Sequence, residues 1–99
     1  MNTIHRINYL EAKELINQNG CLIDVRSREE YKKFHLPNSI SIPLEEIYDE
    51  HEKYIPNKDS PIVIYCATGV RSRIAAVFFN DLGYKYIFDL GGICKRYSK

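Results

Sequence analysis

The chain has 99 residues, enough for one compact domain and too few for two. A hydrophobic fraction of 44% is that of a globular protein and argues against disorder. With 14 Lys and Arg against 13 Asp and Glu, the net charge of +1 gives no electrostatic footprint for nucleic acid or an anionic membrane.

The opening stretch, MNTIHRINYLEAKEL, has neither the apolar run nor the cleavage site of a signal peptide. No apolar run approaches the roughly 18 residues of a membrane span. Three cysteines, Cys21, Cys66 and Cys94, without a secretion signal argue against a disulfide framework. They point instead to a reducing, cytoplasmic setting.

Residues 4–7 (IHRI) read as a short first strand. Asn8 followed by Glu11 has capping-box spacing and opens a helix to about Gln18, with Gly20 as its stop. Cys21 to Val25 is a short apolar run and reads as a buried strand. Ser27 and Glu30 form a second capping box, opening a helix through Phe34. His35-Leu36-Pro37-Asn38 is a turn, and Ser39 to Ile42 alternates as a strand does. Leu44 to about Tyr54 reads as a helix with Leu44, Ile47 and Tyr48 on one face. Pro56 to Pro61 is a loop.

Ile62 to Tyr65 is the most apolar strand candidate, expected at the sheet centre and buried on both faces. Arg71 to Leu82 follows as a helix with Ile74, Ala75, Val77, Phe78 and Leu82 on its apolar face, capped by Gly83. Tyr86 to Leu90 is the last strand, closed by Gly91-Gly92. Strands alternating with helices imply an α/β fold, a mostly parallel sheet with helices on both faces. Sites in such folds form beyond the carboxyl ends of the strands.

The segment IVIYCATGVRSRIAAVFF carries the chemistry. Cys66 stands where a central strand ends, and a helix begins about five residues later. Loop amides, the positive helix N-terminus and Arg71 all favour thiolate over thiol at Cys66. Gly69 gives the loop its backbone freedom. Thr68, Ser72 and Arg73 are further donors toward an anion. A cysteine that merely fills a strand end is the bland alternative. It leaves unexplained why Gly, two hydroxyls and two Arg follow at once.

CATGVRS resembles the active-site loop of the rhodanese family. LIDVRSREEY at 22–31, HLPNSISIP at 35–43 and LGYKYIFDLGG at 82–92 resemble three further segments of that family, in the same order. The resemblance implies a five-stranded parallel sheet and residues 1–99 as a single rhodanese-like domain. It implies sulfur transfer from a small donor such as thiosulfate to a thiophilic acceptor through a Cys66 persulfide. By motif match Cys66 is the nucleophile. Ala67, Thr68, Gly69, Val70 and Arg71 form the substrate cradle. No metal or other cofactor is implied, and a sulfur-relay protein is a further partner. The chain departs from the family pattern at Phe34 and Asn38, where Gly is usual. Tyr97 is the nearest candidate for the usual Trp after Gly91-Gly92.

Phosphatases and arsenate reductases of the same fold are the competing enzymes. Their loop sets Cys and Arg one residue further apart, and their pattern has His where this chain has Tyr65. A persulfide-carrying accessory or binding module is the other alternative. Asp24 and Arg26 read as an architectural pair, and Glu30 as the capping partner of Ser27. His35 reads as a structural hydrogen-bonding residue. Cys21 begins a strand and reads as buried. Cys94 reads as an incidental tail cysteine, with a resolving thiol as the alternative. The His and Cys spacing suits no metal.

Overall fold

The two predicted capping boxes form reciprocally. Asn8 Oδ1 accepts from the Glu11 amide at 2.8 Å, and Glu11 Oε1 accepts from the Asn8 amide at 2.9 Å. Helix α1 (Tyr9–Asn17) starts there. Ser27 Oγ and Glu30 make the same exchange at 3.1 and 3.0 Å, opening α2 (Arg28–Lys33). Each box satisfies two amides that a helix start otherwise leaves unpaired. The structure is a computed structural model that describes residues 4–94. Tyr97 lies outside the described residues.

The stop of α1 differs from the expectation. The left-handed residue is Asn19 (φ 72°), while Gly20 donates its amide to Leu15 O at 2.8 Å. Asn19 donates to Ile16 O at 3.2 Å, completing a Schellman-type end in which Asn takes the usual Gly place. Asn38 also adopts positive φ, 67°, in the predicted turn. The helix expected from Leu44 is split into a short 3₁₀ turn (Leu44–Glu46) and α3 (Ile47–Tyr54). Its Tyr48 is half exposed, so the buried face is set by Ile47 and His51.

Strands β1 (Ile4–Arg6), β2 (Cys21–Asp24), β3 (Ile40–Ser41), β4 (Ile62–Cys66) and β5 (Ile87–Gly92) form one parallel sheet. Its order is β1-β5-β4-β2-β3. Every residue of β4 is buried, as its near-continuous apolar sequence requires of a strand covered on both faces. Helix α4 (Val70–Asp81) and α3 cover one face with Ile23, Ile64, Ala75 and Phe79. Helix α1 covers the other with Ala12, Leu22, Val63 and Tyr65. No helix among the described residues is long and apolar enough to cross a membrane.

Two expectations about the last third of the chain need correction. The buried stripe of α4 is Ser72, Ala75, Ala76 and Phe79, at helical spacing, whereas Ile74 and Val77 are exposed. Small Ser and Ala side chains let α4 lie close on the sheet. Gly91 and Gly92 do not follow the last strand but belong to it. Ile64 pairs with Asp89 and Tyr65 with Gly91, so β5 carries one extra residue there. Gly91 accommodates this bulge with φ 86°, a conformation costly for other residues. The shifted register sets Cys66 opposite Gly92.

Candidate active site

Strand β4 delivers Cys66 to its carboxyl end, and the chain then turns at once into α4. Gly69 occupies the N-cap of α4 in a left-handed conformation, φ 102°, and offers no capping side chain. The cap acceptor is the cysteine itself. Cys66 Sγ accepts from the Gly69 amide at 3.0 Å and from the Ser72 amide at 3.2 Å. Ser72 is the third helical residue, whose amide is ordinarily satisfied by an N-cap oxygen. A sulfur in that place meets two N–H dipoles and the positive end of a 12-residue helix.

Fewer of the expected cradle residues contact the sulfur than the sequence reading implies. Of Ala67, Thr68, Gly69, Val70 and Arg71, Gly69 gives its amide to Sγ. The second donor, the Ser72 amide, lies one residue beyond the predicted set. Its hydroxyl, expected to face an anion, turns back to Gly69 O at 3.2 Å and is buried. Counting from the N-cap would have found the Ser72 amide, because the third helical amide faces the cap. Thr68, Val70 and Arg73 are exposed around the loop, and Ala67 is half-buried.

Arg71 forms a bidentate ion pair with Glu30, at 2.7 Å (Nη1–Oε1) and 3.0 Å (Nη2–Oε2). Glu30 therefore has two roles, capping α2 and holding Arg71 across 41 residues of chain. The Arg71 guanidinium beside it lowers the Glu30 carboxyl to about 2, against the opposing effect of burial. In return Arg71 is held above its ordinary value, by Glu30 first and, more weakly, by Cys66. The cation expected beside the cysteine is present, and its fork is oriented by an acid that sequence reading assigned only to capping.

Asp24 and Arg26 form the architectural pair expected of them. Arg26 Nη2 lies 2.8 Å from Asp24 Oδ2, Asp24 is fully buried, and Arg26 nearly so. Tyr65 Oη donates to Asp24 Oδ2 at 2.7 Å and accepts from the Leu36 amide at 3.1 Å. Burial raises the Tyr65 phenol far above its ordinary value, with the Asp24 carboxylate adding to the effect. The network ties the turn at residues 36–39 to the strand that carries Cys66. His35 Nδ1 bonds Tyr31 O at 2.8 Å and its ring stacks on Tyr31, so it is structural as expected. Cys21 is half-buried rather than buried, and burial pushes its thiol up.

A parallel five-stranded sheet with a cysteine capping the helix after its central strand defines a class of α/β proteins with a loop thiol. Comparison makes the class specific. Residues 9–98 match the model of the rhodanese-like domain. A thiosulfate sulfurtransferase of Coxiella burnetii, GlpE, is 30% identical over 88 residues, covering 88% of this chain and 80% of that protein. The thiosulfate sulfurtransferase PspE of Escherichia coli is 32% identical over 71 residues, covering 72% of this chain and 68% of that protein. A solved E. coli rhodanese with bound anions superposes with a TM-score of 0.71 at 32% identity, covering 74% of this chain and 86% of that one. The chain belongs to the rhodanese-like domain family and is a sulfurtransferase of the rhodanese type.

Proposed function

We propose that residues 1–99 act as a single rhodanese-like domain that moves sulfane sulfur through a persulfide on Cys66. The observation that carries this reading is the Cys66 sulfur held by the Gly69 and Ser72 amides at the start of α4. Both amides point their N–H dipoles at Sγ, and the thiolate is the form that attacks. The Cys66 thiolate attacks the outer sulfur of a donor such as thiosulfate. A new S–S bond forms, the donor S–S bond breaks, and sulfite leaves with the electron pair. A thiophilic acceptor (cyanide, a small thiol or a sulfur-relay protein) then attacks the terminal sulfur. Sγ departs as thiolate into the same two amides. Ala67, Thr68, Val70 and Arg71 shape the approach to this point. The printed activity of GlpE and PspE supports thiosulfate as a donor. A cytoplasmic setting, which keeps thiols reduced, suits this chemistry.

The test is the intact mass of the protein after mixing with thiosulfate. One sulfur is gained by the wild type and none by Cys66→Ser, and added cyanide removes it as thiocyanate. No adduct, or an adduct that survives Cys66→Ser, overturns the reading. Turnover of an aryl phosphate without sulfur uptake would favour the phosphatase alternative.

A further inference from the structure

The segment after β5 is bound to the nucleophile's loop by its backbone. Ile93 donates its amide to Cys66 O at 3.0 Å, and Cys94 donates its amide to Ala67 O at 3.0 Å. Gly92 is pressed so closely on the loop that a Cβ there would stand 2.5 Å from the Thr68 carbonyl carbon. The backbone of a second cysteine, Cys94, is therefore fastened to the residue that follows Cys66. The two thiols differ in access: Cys66 is 0% exposed, whereas Cys94 is exposed.

From this pair we propose that Cys94 is a relay thiol, taking the sulfane sulfur from Cys66 and presenting it at the surface to a protein thiol. The inference rests on the persulfide reading above. Cys66 is buried, so an exposed thiol on the segment bound to its loop offers a protein acceptor a more open point of attack. A persulfide extends the Cys66 side chain by one S–S bond, about 2 Å. The Cys94 thiolate attacks the terminal sulfur of Cys66–S–S⁻. A bond forms between Cys94 Sγ and that sulfur, the bond to Cys66 Sγ breaks, and Cys66 leaves as thiolate. The charge carried by the attacking thiolate is recovered on the leaving one, so no oxidant or reductant is consumed. Attack at Cys66 Sγ instead would form a Cys66–Cys94 disulfide and expel the cargo as sulfide. The Gly69 and Ser72 amides favour the first course, because they already hold Cys66 Sγ where a leaving thiolate must be stabilised.

The experiment loads the full chain with thiosulfate at low protein concentration, traps thiols and persulfides with iodoacetamide, and locates the added sulfur by peptide mass. The wild type carries sulfur on both the Cys66 and the Cys94 peptides. Cys66→Ser loses it from both, and Cys94→Ser confines it to Cys66 and slows its delivery to a protein thiol. Sulfur on Cys66 alone in the wild type overturns the relay and leaves the persulfide reading standing. So does a Cys66–Cys94 disulfide with loss of the sulfur. Sulfur on Cys94 in Cys66→Ser also overturns the relay, since Cys94 then loads directly. A wild type that takes up no sulfur on Cys66 overturns the persulfide reading itself.

Discussion

Replacing Glu30 with Gln removes the charge that clamps Arg71 but keeps an oxygen for the Ser27 amide, so the capping box survives while the ion pair does not. Both side chains are about one third exposed, 36% for Arg71 and 34% for Glu30, so solvent screens the pair. Its coupling is then about 0.5–1 kcal/mol. For a domain of this size that lowers Tm by about 2–8 °C at neutral pH. The pH dependence follows from the Glu30 carboxyl, lowered from 4.5 to about 2 in the folded protein. A folded value below the unfolded one means that folding favours the ionised form. The stabilisation is complete above about pH 4.5 and fades as pH falls toward 2. Thermal unfolding of wild type and Glu30→Gln between pH 7 and pH 3 therefore shows a Tm gap that narrows on acidification. A gap that stays constant, or widens, over that range would refute the assignment. Glu30→Ala loses the capping interaction as well and falls about 1 kcal/mol further.

Three other substitutions probe the frame of the site. Asp24→Ala leaves the Arg26 guanidinium nearly buried beside no carboxylate and costs about 3–5 kcal/mol, read from urea unfolding. Tyr65→Phe strands the Leu36 amide and costs about 1–3 kcal/mol by the same measurement. Gly92→Ala puts a methyl within 2.5–2.6 Å of Ala67 and Thr68 backbone atoms, which cannot swing away as a side chain could. The loop must shift, costing about 1–3 kcal/mol, and sulfur uptake by Cys66 falls; unchanged uptake rates would show that the close approach does not shape the loop.

Local signals are the ones that the sequence states openly. Asn8 with Glu11 and Ser27 with Glu30 name their helix starts, because capping is a contest among neighbours within one turn. The unbroken apolar run of β4 announces a central strand, since only a strand covered on both faces can afford it. The position of Cys66 between that strand and a helix start was legible for the same reason. The buried face of α4 departs from the expectation because Ile74 and Val77 are more apolar than Ser72 and Ala76, yet close contact with the sheet selects small side chains.

By itself, then, the sequence determined the order of strands and helices, the thiol at the end of the middle strand, and the glycine that lets the loop turn. Only the tertiary structure decided what surrounds that thiol. The bulge at Gly91 sets β5 in the register that brings Gly92 and Cys94 against the loop. The bidentate grip of Glu30 on Arg71 joins residues 41 positions apart. Contacts of that kind depend on how elements pack, and periodicity or capping within one element holds no record of its neighbour across the fold.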